Sequence, residues 1–431
     1  MTLKRRPHSI EERCGMPVYV EARTLPELPK HPSRIVDEGI PKGKQLRAGA
    51  ARVDVTPSGP VPMRGFKARR STGVYDRLHV RALVLDNGDD ALAIVSWEKL
   101  NAYDLPQGFE EIAQIREEIH RRVGIPVSNI LMNCTHTHSG CEGPFEEASV
   151  EAVTQAWENR KEVRIGIGSK MIYGIGSSRR LPDGTGLWGS HQPNPNGVMD
   201  NECGVIRVED NHRNLIAVGV YYTAHPSVLT TDNTLLSGDY AGVGMAEIER
   251  RLGGDVVALF LQGCAGDVGT HTFRKSRTIP EVERLGGKLA DEAIQILDHI
   301  DVFPWVPLRA KNRMIRLPRW EPQAPSEGTT IPPIPGDRIP DEIQALVIND
   351  ALLLAVGSME PYVEIGLDIK EASRFRHTFT LGYSNGPWLG YLPSNWAYSV
   401  DDPDVKGTRF APQAPDALVR ECLRLHDEVR E

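Results

Sequence analysis

Two histidines separated by one residue, His136 and His138, stand in the octapeptide NCTHTHSG (Asn133–Gly140), just after the apolar stretch that ends at Met132. Neutral imidazole is the commonest protein ligand for a metal ion. A strand end rich in Thr, Ser and Gly lets such rings reach a cleft with no helix packed over them. On a strand the period of two puts both rings on one face. His136 is therefore the first ligand candidate, and His138 is either a second ligand or the group that faces a substrate. The plainer alternative is a pair of hydrogen-bonding loop histidines.

A catalytic zinc takes three or four N/O ligands and keeps an open position for water, so other segments must contribute. His225 closes an apolar strand in YYTAHPSV, where Pro226 ends the pairing. Asp239 in LLSGDYAG is placed either to orient a histidine or to cap the helix that follows. In LFLQGCAGDVGTH, Asp267 lies between glycines after a buried strand and His271 follows closely. That loop can present N–H groups to an oxyanion. A tight turn accounts for Gly263, Gly266 and Gly269 equally well. Their spacing matches neither a phosphate loop nor a dinucleotide fingerprint.

Such residues need strand ends that converge. Ala51–Val55 reads as a strand, and His79–Leu85 and Asp90–Ser96 as a pair around the turn Asn87-Gly88-Asp89. Asp104–Val123 has helical periodicity, with Phe109, Ile112, Ile115 and Ile119 on one side. Phe145–Asn159, a stretch opened by Gly238 through Arg251, and Val282–Leu297 read likewise. Val163–Ile167 and Met171–Ile175 read as two strands, Cys203–Val208 and Leu215–Tyr222 as a pair, and Asp255–Leu261 as a buried strand. Ile343–Val356 could form one helix, but Val347-Ile348-Asn349-Asp350 at its centre suits a hairpin turn, the reading preferred. This alternation predicts an α/β fold of mixed β-sheets flanked by helices. A surface extension over 1–46 precedes a single domain over 47–431, which carries a Pro-rich loop over 317–340.

Composition sets outer bounds. A chain of 431 residues can bury a large core. A net charge of -8 without any Lys/Arg-rich tract argues against a nucleic-acid partner. No run is apolar and long enough for a membrane span, and Lys4-Arg5-Arg6 leads into Pro7 rather than a signal-peptide core. Six cysteines are too sparse for a disulfide scaffold. Buried free thiols, a cytoplasmic location and a small-molecule substrate are the expectations; nothing in the pattern sets an oligomeric state.

The motifs VDVTP, MRGF, THTHSG, TAHPSV, LLSGDYAG, LQGCAGDVG, EPYVEIG and YSNGPWLGYLPS, in this order between Ala51 and Val400, resemble the N-terminal catalytic region of the neutral/alkaline, non-lysosomal ceramidases. The resemblance implies that region's fold without the family's C-terminal immunoglobulin-like domain. It also implies a single Zn2+ held by two histidines, a glutamate and a tyrosine. His136 and His225 match the histidines. Glu360, six residues before Gly366, matches the glutamate, with Glu364 as the alternative carboxylate. Tyr391 matches the tyrosine, in a stretch one residue longer than the family's, and His138 sits beside the water or the substrate carbonyl. One departure stands out. The family's Asp-Val-Ser-Pro reads Asp267-Val268-Gly269-Thr270 here, so the serine to which the family's catalytic role is assigned is missing, and Thr270 substitutes only if the loop shifts by one.

The function expected is zinc-dependent hydrolysis of a carbon–nitrogen amide bond. His138 or Asp267 relays the proton, and loop donors, with Tyr398 a candidate among them, stabilise the oxyanion. Arg64, Arg179 and Arg180, with Trp188 as a stacking platform, suit a small polar substrate bearing hydroxyls or a carboxylate, whereas no exposed apolar stretch marks a ceramide channel. Surface arginines and a packed tryptophan are the plainer reading of the same residues. Ester hydrolysis, a lyase or isomerase step on a carbohydrate-like substrate, and a non-catalytic binding or structural role are the rival functions.

Overall fold

The computed structural model describes residues 34–37, 41, 43–103, 108–181, 194–253, 255–320, 336–400 and 402–431. Eight strands build the first sheet: β1 (Arg47–Asp54), β2 (His79–Asp86), β3 (Ala91–Trp97), β4 (Ile130–Cys134), β5 (Lys161–Met171), β6 (Glu202–Asp210), β7 (Leu215–Tyr222) and β8 (Val257–Gln262). Their spatial order is β8-β7-β6-β5-β1-β2-β3-β4. The pairs β7–β8 and β3–β4 are parallel, and the remaining neighbours are antiparallel. A second sheet takes β9 (Leu308–Pro318), β10 (Arg338–Ile348), β11 (Ala351–Ala355) and β12 (His377–Leu381) in chain order. The expected hairpin is the β10–β11 turn, where Asn349 adopts a left-handed φ of 56°.

Side-chain alternation along the strands dictates the layering. Val80, Ala82 and Val84 of β2 point into a core shared with α1 (Gly108–Val123) and α2 (Phe145–Glu158), while Leu83 and Leu85 point the other way, against the second sheet. Further along the same sheet, Val218 and Val220 of β7 pack on α3 (Asp239–Leu252) and α4 (Ile279–Leu297). The outer face of the second sheet is covered by α5 (Val363–Ala372) and α6 (Ala414–Arg430). Helices, sheet, sheet and helices thus stack in that order, the mixed α/β architecture expected. In α1 the buried residues Ile112, Ile115, Ile119 and Val123 keep the three-to-four spacing of an amphipathic helix.

Two sequence expectations change. β5 runs unbroken from Lys161 to Met171, because pairing with β6 continues through Lys170↔Cys203 and Met171↔Glu202. The Pro-rich loop is narrower than 317–340, since β9 extends through Pro318 and β10 starts at Arg338; residues 321–335 lie outside the described residues. Most of the 1–46 extension also lies outside them, apart from a short stretch in which Ile35 bridges Val302. No described helix is long and apolar enough to cross a membrane. The five described cysteines are buried and unpaired.

β4 and β8 are opposite edges of the first sheet, yet they meet. Gln262 N donates to Asn133 Oδ1 at 2.8 Å, Asn133 Nδ2 donates to Gly382 O at 2.8 Å, and Ser96 Oγ donates to Phe260 O at 2.7 Å. The sheet curls until its edges are stitched together, with the segment after β12 wedged at the seam through the bridges Asn133↔Ser384 and Gly263↔Leu381. This closure brings the ends of β4 and β7 side by side.

Candidate metal centre

β4 stops at Cys134, and the chain then turns, with His136 at a φ of 66°. The two histidines therefore do not share a strand face as the period of two predicts; a left-handed residue re-aims the first ring. Its backbone is fixed by Thr135 N donating to Trp97 O at 2.8 Å and His136 N to Lys99 O at 2.9 Å. His225 follows β7 and is pinned by its N–H to Val268 O at 3.0 Å. The rings of His136 and His138 lie 4.9 Å apart, those of His136 and His225 4.7 Å, and those of His138 and His225 5.4 Å. One ligating atom from each lies within 4.8 Å of the others, which makes the trio a candidate metal-binding cluster.

The outward nitrogens are tied to backbone carbonyls. His136 Nδ1 meets Leu100 O at 2.7 Å, His138 Nδ1 meets Gly65 O at 2.7 Å, and His225 Nδ1 meets Ala265 O at 2.6 Å. A carbonyl only accepts, so each Nδ1 carries the proton and each Nε2 offers a lone pair. The Nε2 atoms of His136 and His138 are buried without a hydrogen-bond partner among the described residues. Glu360 Oε2 approaches the Nε2 atoms of His136 and His225, both at 3.1 Å. Three imidazoles and a carboxylate oxygen thus gather in one buried cluster. That arrangement is stable around a cation, and its N/O donor set fits a divalent metal.

Electrostatics favour the metal-ready protonation states. Burial, then His136 and His225, depress the pKa of His138 well below its ordinary value. Burial, with the nearby Arg179 charge, brings His225 to about 4. Burial pushes the Glu360 carboxyl up, but His136 and His225 overcome it and hold the group well below the usual range. Ligation requires this combination of neutral imidazoles and an ionised carboxylate.

The sequence motifs serve this cluster. Gly65 of MRGF lies so close to His138 that a Cβ there would stand 2.8–2.9 Å from it, and its carbonyl is the one that fixes the ring. Phe66 covers the same ring at 4.6 Å between centroids. Asp239 does not touch a histidine ring. It accepts from Val228 N at 3.2 Å, Leu229 N at 3.0 Å and Tyr240 N at 2.7 Å, which locks the turn after His225 onto α3. Glu360, between β11 and α5, pairs in register with Tyr391, and its second oxygen accepts from Trp388 Nε1 at 2.8 Å.

The other expected residues fall as follows. His138 stands among the candidate ligand atoms rather than beside them. The Tyr391 hydroxyl accepts from Arg179 Nη2 at 3.1 Å. Arg179 is buried against this wall and also donates to Gly266 O. Asp267 accepts from Val363 N at 2.8 Å and so caps α5; burial and the neighbouring Glu364 push its pKa up to about 8. Arg180 pairs with Asp404 and Asp402 in a buried cluster with Tyr362. Tyr398 donates to Phe410 O at 2.7 Å and packs on Trp320. Arg64 lies half-buried, 3.4 Å from Glu142. Trp188 lies outside the described residues. At Gly269 an added Cβ would meet the His271 ring at 2.7 and 2.9 Å, so the imidazole occupies the space a serine side chain would need. Sequence reasoning overlooked Tyr383, whose ring lies 4.2 Å from that of His136, and the role of Trp388. Both belong to YSNGPWLGYLPS, and the aromatic density of that motif was the available signal.

No family model matches the chain. Neutral ceramidase A of Dictyostelium discoideum is 24% identical over 257 residues, 52% of this chain and 36% of that protein; the match thus spans about a third of the relative's length. The crystal structure of neutral ceramidase from Pseudomonas aeruginosa superposes with a TM-score of 0.73 at 17% identity, covering 90% of this chain and 75% of that one. A ceramidase structure complexed with C2 superposes equally well, with a TM-score of 0.73 at 16% identity. The superpositions show that this chain has the fold of the solved neutral ceramidases over 90% of its length.

Proposed function

We propose that this protein is a zinc-dependent hydrolase that cleaves a carbon–nitrogen amide bond in a small polar substrate rather than in ceramide. The observation that carries the reading is the cluster of His136, His138 and His225, each imidazole held by a backbone carbonyl at Nδ1, with Glu360 Oε2 3.1 Å from Nε2 of His136 and of His225. His136, His138, His225 and Glu360 would hold the metal. Bound zinc supplies Lewis-acid polarisation of a carbonyl and makes water acidic enough to act as a nucleophile near neutral pH.

The chain's own residues do the rest. The carbonyl anchors keep the imidazoles from rotating, so the donor set is organised before a ligand arrives. Trp388 holds the carboxylate plane of Glu360. Arg179 places a buried cation next to Tyr391 and near His225, which favours substrates with an anionic or oxygen-rich group. His271 fills the space beside Gly269, so the pocket wall differs from the serine-bearing loop that the resemblance implies, and this supports a substrate other than ceramide. The buried, unpaired cysteines support residence in a reducing compartment such as the cytoplasm.

The test is turnover of a panel of amides and esters of graded acyl length by zinc-loaded protein, with products identified by mass spectrometry. Amide cleavage must release an amine and an acid from short polar substrates. Cleavage confined to esters, a product of unchanged mass, or inactivity across the panel by metal-loaded protein would each overturn the reading.

A further inference from the structure

Tyr383 carries two oddities at once. It follows β12 and Gly382 with a φ of 53°, a left-handed conformation that bulky side chains rarely adopt. Neighbouring backbone holds it there: Tyr383 N donates to Met359 O at 3.2 Å, and Cys134 N donates to Tyr383 O at 3.0 Å. The outcome of this strain is a ring laid on His136 at 4.2 Å between centroids and tilted by 33°. Its distance to the His225 ring is 6.3 Å.

The second oddity is the hydroxyl, which is buried with no hydrogen-bond partner among the described residues; the residue is only 3% exposed. Buried phenols ordinarily find a partner. Glu360, whose Oε1 accepts from Trp388, makes no hydrogen bond to it. A donor is therefore held beside the histidine cluster, in a strained conformation, without a hydrogen-bonded acceptor among the described residues.

We infer that the Tyr383 hydroxyl is a substrate-facing hydrogen-bond donor, placed to bind the oxygen that gains negative charge when the substrate carbonyl is attacked. The inference rests on the hydrolase reading above and adds a residue to it. Donors preorganised toward such an oxygen are worth roughly 10²–10³ in kcat.

Tyr383→Phe tests this, since it keeps the ring on His136 and deletes only the unpaired hydroxyl. The protein is loaded with Co2+, whose visible spectrum reports the ligand set, and titrated with methylphosphonate as a tetrahedral oxyanion probe. The expected result is an unchanged cobalt stoichiometry and spectrum, an undiminished Tm, and probe binding at least tenfold weaker than in the wild type. On an amide found by the substrate panel, kcat should fall roughly 10²–10³-fold with KM nearly unchanged. Equal probe affinity and turnover would overturn the inference. So would a changed cobalt spectrum before the probe is added, which would make Tyr383 a metal ligand. A lowered Tm or failure to fold would reveal a structural partner for the hydroxyl and also overturn it. Failure of the wild type to take up cobalt would remove the metal centre itself, and both readings with it.

Discussion

Trp388→Phe separates two roles for one side chain. A tryptophan near a site invites a stacking role toward substrate, but here its indole N–H is bonded to Glu360 Oε1 at 2.8 Å. A hydrogen bond to an ionised group contributes about 1.5–3 kcal/mol. Trp388 is only partly buried, so water can replace part of the bond, and the lower end of that range applies. At 1.4 kcal/mol per decade this amounts to roughly tenfold weaker metal binding, at the low end of the 10–100-fold typical of residues that orient a ligand. Competition of zinc against a chromophoric chelator measures it directly. The ring is retained in phenylalanine, so a stacking role would leave zinc affinity untouched and change only substrate KM. That outcome would refute the assignment.

Three further substitutions probe the scaffold. Gly269→Ser should destabilise by about 1–3 kcal/mol, because the new side chain overlaps the His271 ring, and adding His271→Ala should recover most of the loss in urea unfolding. Lys370→Met should cost about 3–5 kcal/mol, since the fully buried ammonium pairs with both Asp200 and Glu202 and its removal strands their charges; a thermal melt within a degree of wild type would contradict this. Asp341 is buried, and burial raises its pKa from 3.8 to about 7. A folded-state pKa above the unfolded one means stability is fully present below the unfolded value and is lost as pH climbs through the folded one. Asp341→Asn should therefore gain on the wild type between about pH 4 and 7, and a constant difference across that range would be the wrong result.

How far the sequence reaches can be judged residue by residue. His136, His138 and His225 are legible because each lies at the end of an apolar strand in a segment of small polar residues, where a ring can only reach a cleft. Glu360 is visible through the resemblance alone: its surroundings are ordinary, and its role depends on the β11–α5 junction folding onto the seam. Layering was readable from the two-residue and three-to-four-residue periods. The curling that joins β4 to β8 was not, because it depends on Asn133 reaching across to Gln262 and Gly382, and a single polar residue leaves no periodic trace. Asp267 misled for a related reason. A carboxylate in a glycine-rich loop looks reactive in sequence, whereas in space it caps α5.

The central claim is that His136, His138, His225 and Glu360 bind one divalent metal. Metal analysis of protein purified under metal-replete conditions tests it most directly, alongside the His136→Ala/His225→Ala double variant. The structure predicts one ion per chain in the wild type and none in the folded double variant. A metal-free wild type, or a double variant that keeps stoichiometric metal, would contradict it.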